Sequence, residues 1–343
     1  MNKWYGNRAE EPIVIASRVQ IRRNLEKYHF VSMMGVDECG AVAELLRGEA
    51  VKLEHEEGMK YYSCDVGKLS PLEREALVEN FIMSEAMQKK QGAALVLSED
   101  EGVSILINEE DHICIRANAR GNDLRGAYAR AFRVEKCLEG LGYAYDPRFG
   151  YLSASPLNTG TGFHADYLLF LPAIAMAGKI KKLSDEIGKF DMEIAGIRGG
   201  IKTEAFLYRI GNKKTLGCTE EEIIENIGQV LEQIIAKEKK YRNYLYQGSK
   251  AEIVDRVYRS YGVLRYAKIL STADALMQYA QLKLGHDHGM VTLSQEPDLY
   301  GQLVKVQPAN IQKLYGRSLG LEERWQYRAE YFNRLMECER GIR

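Results

Sequence analysis

The sequence lacks the long apolar runs and the charge excess that mark several large classes of protein. No apolar run in the 343 residues is long enough to span a bilayer, and the first residues, MNKWYGNRAE, lack the apolar core of a signal peptide. These absences predict a cytoplasmic protein that does not insert into a membrane. Lys and Arg total 47 against 48 for Asp and Glu, so no overall basic excess favours nucleic acid as a partner.

Paired cysteines and the common nucleotide-binding motifs are also missing. The six cysteines are scattered along the chain: Cys39, Cys64, Cys114, Cys137, Cys218 and Cys338. Without a Cys-x-x-Cys pair, the spacing predicts neither a zinc site nor a disulfide framework. No Walker motif and no dinucleotide fingerprint is present, so the sequence does not indicate the nucleotide-binding folds that carry these motifs.

A polar loop at residues 146–166, DPRFGYLSASPLNTGTGFHAD, is the most distinctive stretch. Its prolines and glycines predict turns between two ordered elements. Residues 158–162 offer small side chains, hydroxyls and backbone N–H groups, on which phosphate oxygens can be held. The loop is therefore a candidate anion site, and a plain turn between strands is the alternative.

The hydrophobic pattern of residues 1–245 predicts an antiparallel sheet flanked by helices. Residues 13–21 alternate as a half-buried strand does, which places Arg18, Gln20 and Arg22 on one face. Helices are predicted from Ser70, by its capping pattern, and across 122–141. Further strands are predicted at 93–98, 103–107, 113–116, 167–171, 193–197 and 205–210.

From Thr219 onward the pattern becomes helical, beginning with a capping box formed with Glu222. Residues 246–343 are predicted to form a small all-helical domain after a boundary near 245. The fold class is therefore α+β.

An acidic turn follows the strand at 103–107 and reads Asn108-Glu109-Glu110-Asp111-His112. Several ionisable groups at a strand end are typical of acid–base or cation-binding sites. An ordinary solvated turn is the alternative reading of these residues alone.

Taken in order, several motifs resemble those of the ATP:guanidino phosphotransferases. They are Ala16-Ser17-Arg18-Val19 with Arg23-Asn24, Asn108-Glu109-Glu110-Asp111-His112, Asp146-Pro147-Arg148-Phe149-Gly150-Tyr151, Pro156-x-Asn158-x-Gly160-Thr161-Gly162 and Ile197-Arg198-Gly199. The resemblance is strongest to the bacterial protein-arginine kinases of the McsB type, which lack the N-terminal helical domain of creatine and arginine kinases and carry a similar helical tail. It implies the phosphagen-kinase catalytic fold, which is similar to that of glutamine synthetase.

The resemblance also implies a chemistry and a set of site residues. Glu110 would be the general base and Glu109 would orient the guanidinium, while Ser155 stands where the family has an active-site cysteine. ATP, with Mg²⁺ bridging its phosphates, would be bound by Ser17, Arg18, Asn158, Gly160, Thr161, Gly162, His164 and Arg198. The sequence predicts no metal site made by protein side chains.

Three positions at which the family has phosphate-binding arginines carry other residues in this sequence: Gln20, Cys114 and His164. Arg22 lies on the same predicted strand face as Gln20, and Arg116 lies on the same predicted face as Cys114. These two arginines, and His164 if protonated, are candidates to replace the missing positive charges. Three functions stay open: a divergent protein-arginine kinase, a weak or inactive adaptor or regulatory partner, and a kinase of a small guanidino compound.

The tail resembles the branch's phosphoarginine-binding motif. Arg324 and Arg328 are four residues apart, so they would face the same way on a helix and clamp a phosphorylated arginine. Position 325 carries Trp where the motif usually has Asp. The resemblance implies protein substrates with exposed arginines, a homodimer formed through the tail, a zinc-binding activator and a quality-control unfoldase.

Overall fold

The computed structural model of the chain describes residues 3–6, 12–197, 200 and 205–337. Its strands are β1 (Val14–Arg23), β2 (Tyr61–Asp65), β3 (Ala94–Ser98), β4 (Val103–Ile107), β5 (Ile113–Arg120), β6 (Tyr145–Asp146), β7 (Gly150–Tyr151), β8 (Phe163–Phe170), β9 (Met192–Gly196) and β10 (Leu207–Asn212). Its α-helices are α1 (Val36–Gly48), α2 (Ala50–Glu57), α3 (Pro71–Glu79), α4 (Leu124–Leu138), α5 (Pro172–Met176), α6 (Ile180–Ile187), α7 (Glu220–Gly248), α8 (Lys250–Tyr266), α9 (Thr272–Asp287), α10 (Leu299–Lys305), α11 (Pro308–Tyr315) and α12 (Leu321–Glu337).

An eight-stranded sheet forms the centre of the described residues, in the order β2-β3-β4-β5-β1-β8-β10-β9. β1 lies inside the sheet and pairs antiparallel with both β5 and β8. The predicted meander forms from β3, β4 and β5, because short turns let strands pair with their neighbours in sequence. The sheet with its flanking helices confirms the predicted α+β class.

Local sequence signals set several element boundaries. Ser70 and Glu73 form the capping box that begins α3, and Thr219 and Glu222 form the one that begins α7. β8 begins at Phe163, four residues before the predicted strand, so it takes in the end of the predicted loop. No helix in the described ranges has the length and apolar composition needed to cross a membrane.

Hydrophobic clusters cover both faces of the sheet. Tyr167 and Leu169 of β8 pack in one cluster with residues of α4 and α7, whereas Leu168 and Phe170 pack in another with residues of α8, α9, α10 and α12. Successive side chains of a strand point to opposite faces, which explains the division. The C-terminal helices therefore share a core with the sheet. The proposed boundary near 245 falls in the last turn of α7, and Ser249 alone separates α7 from α8.

Glu79, the last residue of α3, connects the sheet region to the C-terminal helices. Its carboxylate accepts hydrogen bonds from the backbone N–H groups of Ala309 (2.8 Å) and Asn310 (2.9 Å) and from Nδ2 of Asn310 (3.0 Å). These N–H groups belong to the first turn of α11, where helices lack internal acceptors and favour negative charge. Glu79 therefore stabilises the contact between α3 and α11.

We expect Glu79→Gln to lower the free energy of unfolding by about 1–2 kcal/mol, because a charged acceptor of several N–H groups becomes a neutral one. Urea denaturation measures the change. Glu75→Gln is the matched control, since Glu75 is an exposed carboxylate on the same helix. Equal stability of the two variants would show that the contact with α11 contributes nothing.

Candidate active site

A cleft of about 440 Å³ opens beside β1, β8, β9 and β10 and reaches the acidic turn after β4. Its charged lining residues, among those described, are Arg18, Arg22, Glu110, Asp166, Glu193, Arg209 and Lys213. These are four cations and three carboxylates, so the cleft has little net positive charge. In the part of the chain that the structure describes, no three His, Cys, Asp or Glu side chains are grouped to hold a metal ion.

The acidic turn is fixed by the residues at its two ends. Asn108 adopts a positive φ of 57° and donates from Nδ2 to two backbone carbonyl groups at 2.8 Å. His112 accepts from the N–H of Leu25 at Nδ1 (2.9 Å), so its Nε2 donates to the carbonyl of His29 (2.7 Å). Burial lowers the pKa of His112. His112 is therefore a neutral structural group, and not the acid or base of the turn.

Glu109 is buried between two arginines. Its Oε2 lies 3.4 Å from Nη1 of Arg22, and its Oε1 lies 3.5 Å from Nη2 of Arg116. Burial alone would raise the pKa of Glu109, but Arg116, the Ser84 hydroxyl and Arg22 outweigh burial and lower the pKa. Glu109 is thus an anion at neutral pH, and its position is fixed.

Glu110 is the accessible carboxylate of the turn. Its side chain is 50% exposed, and its Oε2 lies 3.3 Å from Nη1 of Arg22. Nδ2 of Asn158 donates to Oε2 of Glu110 and to Oδ2 of the buried Asp111, both at 3.1 Å. Asn158 therefore holds both carboxylates, and Glu110 can still accept an N–H group of a planar guanidinium from the cleft.

His164 of β8 extends this network. Its Nε2 lies 3.0 Å from Oδ1 of Asn158, and the ring donates because the amide oxygen can only accept. Burial and the charge of Arg22 lower the pKa of His164. The candidate role of His164 as a protonated phosphate-binding cation therefore does not fit this arrangement, in which the ring is neutral and orients Asn158.

Arg18 lies in the cleft as predicted, and it is already paired. Its Nη2 lies 2.8 Å from Oδ2 of Asp166, whose Oδ1 lies 3.4 Å from Nε of Arg209. The sequence reasoning missed Asp166 and Arg209 as site residues. Polar residues that alternate with apolar ones at the start of β8 were the available signal, but only the register shows that Asp166 lies opposite Arg18.

The two candidate compensating arginines, Arg22 and Arg116, lie directly opposite two of the departures from the family pattern in the pairing of β1 with β5. β1 and β5 pair Gln20 with Arg116 and Arg22 with Cys114. Nε of Arg116 donates to Oε1 of Gln20 at 3.0 Å. Arg116 is only 8% exposed and does not line the cleft, whereas Arg22 does. Arg22 is thus the arginine of this pair that a ligand in the cleft can reach.

The predicted phosphate loop is bonded to its own surroundings. The N–H groups of Gly160 and Thr161 donate to backbone carbonyl groups at 3.1 and 2.9 Å. Gly162 has a φ of 59°, and a Cβ there would lie 2.6 Å from the carbonyl oxygen of Arg22. These three residues do not line the cleft. They shape the turn that positions Asn158, and phosphate binding by them stays a prediction.

The remaining predicted site residues divide between the cleft and its supports. Ser17 points away from Arg18 because side chains alternate along β1, and its hydroxyl donates to a backbone carbonyl (2.6 Å) and accepts from the N–H of Asp123 (3.0 Å). It supports the start of α4 and does not reach the cleft. Ser155 lines the cleft. Arg198 lies outside the described residues.

The tail arginines both donate to backbone carbonyl groups. Arg328 is 1% exposed, and its Nε and Nη1 lie 2.7 Å from the carbonyl oxygen of Val306 and 2.9 Å from that of Leu270. Nη1 of Arg324 donates to the carbonyl of Leu319 at 2.8 Å. Burial and Arg324 lower the pKa of Arg328 to about 10. Arg328 therefore acts as a structural residue here and does not form the predicted surface clamp with Arg324.

Sequence comparisons identify the family. The family model described as ATP:guanido phosphotransferase, C-terminal catalytic domain, matches residues 41–241, which is more than half of the chain. The chain belongs to the ATP:guanidino phosphotransferase family. A second model, described as protein-arginine kinase McsB C-terminal domain, matches residues 250–341 of this phosphotransferase. Both matches confirm the resemblance that the order of motifs indicated.

Relatives with the name protein-arginine kinase cover nearly the whole phosphotransferase chain. The protein of Caldanaerobacter subterraneus subsp. tengcongensis is 36% identical over 327 residues, which are 94% of this chain and 96% of the relative. That of Bacillus cereus (strain AH187) is 32% identical over 338 residues, which are 98% of this chain and 96% of the relative.

Solved structures of phosphagen kinases share the fold. Lombricine kinase matches with a TM-score of 0.60 and 18% identity, over 68% of each chain. The duplicated taurocyamine kinase from Schistosoma mansoni matches with a TM-score of 0.61 and 22% identity, over 70% of this chain and 36% of that one. At these identities the comparison confirms the phosphagen-kinase fold.

We expect Glu109→Gln to lower the free energy of unfolding at neutral pH by about 3 kcal/mol, because it removes the buried anion between Arg22 and Arg116. The folded-state pKa of Glu109 lies below its ordinary value. Its stabilising contribution is therefore present above the unfolded-state pKa of about 4.3 and is lost as the pH falls through the folded-state pKa. The difference between wild type and variant should shrink on acidification.

Urea denaturation at several pH values from about 6 down to 3 measures this difference. Glu110→Gln is the control, because the half-exposed Glu110 side chain contributes less to stability. A difference that stays constant over this range would contradict a lowered pKa for Glu109.

Proposed function

We propose that the protein is a protein-arginine kinase, which transfers the γ-phosphoryl group of ATP to the guanidinium of arginine side chains in proteins. The observation that carries this proposal is the half-exposed carboxylate of Glu110, which Asn158 holds beside the buried anion Glu109 in a cleft that also contains Arg18 and Arg209. The relatives named protein-arginine kinase support the same reaction.

The carboxylates prepare an arginine side chain for attack. A guanidinium is normally a cation and a poor nucleophile, so it must lose a proton to a base. Glu110 accepts the proton from the attacking nitrogen, while the buried anion Glu109 pairs with Arg22 and Arg116 behind it. The bond from nitrogen to the γ-phosphorus forms as the bond from that phosphorus to the bridging oxygen breaks. ADP leaves with the bonding electrons, and Glu110 holds the proton.

The nucleotide would enter as its magnesium complex. Mg²⁺ prefers phosphate oxygens and water to a cage of protein ligands. The charged lining of the cleft fits that preference, because Arg18 and Arg209 can each bind phosphate oxygens and leave others to the ion. Bound with ATP, the ion neutralises phosphate charge, and Arg18 and Arg209 are the cleft cations that would contact the remaining oxygens.

We expect Glu110→Gln to reduce arginine phosphorylation by about 10²–10⁴-fold, because the amide cannot accept the proton. Binding of ATP–Mg²⁺ should not weaken by more than about threefold, since the variant keeps every cleft cation. Mass spectrometry of phosphoarginine on an arginine-rich protein measures transfer, and calorimetry measures binding.

Glu193→Gln is the matched control for this experiment, because Glu193 is a cleft carboxylate on β9 and not on the acidic turn. It should retain transfer. Full activity of Glu110→Gln would remove Glu110 from the role of base.

A second candidate function is a guanidinium-binding protein with little or no turnover. It is favoured by Asp166, which pairs with both Arg18 and Arg209 where a triphosphate needs cations. Gln20 and the neutral His164 add no positive charge to the cleft. This candidate predicts no saturable binding of ATP–Mg²⁺ at millimolar concentration, whereas the kinase requires such binding.

We expect Asp166→Asn to raise the affinity for ATP–Mg²⁺ by about tenfold, because it removes a negative charge from the cleft and frees two arginines for phosphate. Calorimetric titration measures the affinity. Asp191→Asn is the control, since Asp191 is a carboxylate outside the cleft that pairs with Lys214. Weaker binding by Asp166→Asn would show instead that Asp166 positions the two arginines.

Proteins with accessible arginine side chains are the proposed substrates. Location in the cytoplasm, a homodimer formed through the tail, phosphoarginine binding by Arg324, a zinc-binding activator and a quality-control unfoldase remain predictions from the family resemblance.

A further inference from the structure

Arg22 of β1 lies beside the acidic turn and has no role in the reaction described so far. Its Nη1 lies 3.4 Å from Glu109, 3.3 Å from Glu110 and 3.6 Å from Asp111. Each distance exceeds the roughly 2.7–2.9 Å of a close charge-assisted hydrogen bond. Nη1 is therefore shared loosely among three carboxylates.

The other edge of the Arg22 guanidinium, formed by Nε and Nη2, has no acceptor in the described ranges. Nε is buried without a hydrogen bond, and the ion pairs of this side chain all involve Nη1. A buried N–H group without an acceptor is costly, and proteins rarely leave one unpaired. The same edge is the one that binds two oxygens of a phosphate side by side. An oxyanion bound at this edge would supply the missing acceptor.

The position of Arg22 identifies that oxyanion. Arg18 and Arg22 share one face of β1 and are four residues apart, which is about 13 Å along a strand. Phosphates that begin at Arg18 therefore extend toward Arg22. Because Arg22 contacts Glu110, it is next to the carboxylate that holds the accepting guanidinium. The phosphoryl group that is transferred must lie at that same place.

The charge of Arg22 is secure in this position. Burial alone would lower the pKa of Arg22, but the Cys114 side chain and the carboxylates of the acidic turn outweigh burial and raise the pKa. Arg22 is thus a permanent cation, unlike the neutral His164.

We propose that Arg22 binds the phosphoryl group that is transferred: the Nε–Nη2 edge holds its oxygens while Nη1 stays with the acidic turn, whose Glu110 holds the substrate guanidinium. The inference rests on the proposed function. Arg22 thereby links the donor and acceptor halves of the cleft, and it does so from the strand position opposite Cys114.

Calorimetry with ATP–Mg²⁺, ADP–Mg²⁺ and inorganic tripolyphosphate tests the proposal. Arg22→Gln should weaken ATP and tripolyphosphate by about 10- to 100-fold, because charge-assisted hydrogen bonds to the terminal phosphate are lost. ADP should change by less than about threefold, since it lacks that group. Arg22→Lys should fall in between, because an ammonium keeps the charge and lacks the planar edge.

Two further variants separate the charge from its place on the strand. The double change Arg22→Ala with Cys114→Arg should recover most of the ATP affinity that Arg22→Ala loses, because the two positions are cross-strand partners. Arg125→Gln is the neutral control, since Arg125 is a surface arginine whose side chain is 63% exposed. Circular dichroism confirms folding, and Arg22→Lys keeps the test decisive where the double variant does not fold.

The outcomes distinguish this inference from the proposed function. It is overturned if Arg22→Gln keeps the wild-type ratio of ATP to ADP affinity, even where the wild type phosphorylates arginine. It is overturned too if the wild type binds neither ATP nor tripolyphosphate. Tripolyphosphate binding that depends on Arg22, in a wild type that phosphorylates no arginine, supports the inference and contradicts the kinase function.

Discussion

The antiparallel register of β1 between β5 and β8 determines the chemistry of the cleft. It places Arg22 opposite Cys114 and Arg18 opposite Asp166. A shift by one residue would turn every side chain of β1 to the other face, so the hydrophobic residues that alternate with the arginines fix the register. The packing of Val19 and Ile21, both almost completely buried, is thus the condition on which the positions of the charged residues depend.

Within the cleft the cations and the carboxylates pair with one another. Arg18 and Arg209 contact Asp166, and Arg22 contacts the acidic turn. A nucleotide must therefore compete for the arginines with acceptors that the protein already supplies. This pairing has a chemical consequence, because the acidic turn that contacts Arg22 also attracts the guanidinium of a substrate. Donor and acceptor groups are held in one network, and each can influence the other's binding.

The sequence was sufficient for features that depend on local patterns. Alternation along β1 predicted the shared face of Arg18 and Arg22, and strand-end charge predicted the acidic turn. Local patterns could not show that Asp166 pairs with Arg18, because this contact depends on strands distant in sequence. They also could not show that Arg328 is buried, since spacing along a helix gives a direction but not the neighbour that covers it. Nor could they show that the N–H group of Gly160 in the predicted phosphate loop donates to the carbonyl of Tyr151.

The charges of the cleft bear on whether the departures abolish the reaction. A hydrogen bond to a charged group contributes about 1.5–3 kcal/mol, so three lost arginines without replacement would cost on the order of 5–9 kcal/mol. Phosphate binding by Arg22, as proposed, would reduce this deficit, because Arg22 faces the cleft from the position opposite Cys114. Arg116 does not reduce it further, since its guanidinium is bonded to Gln20 and to the carbonyl of Ile82. Two missing contacts leave a deficit of about 3–6 kcal/mol, or roughly 10²–10⁴ in rate or affinity. We infer that this arrangement favours a slow kinase with weak nucleotide binding, because the proposed base Glu110 and the proposed terminal-phosphate cation Arg22 both line the cleft.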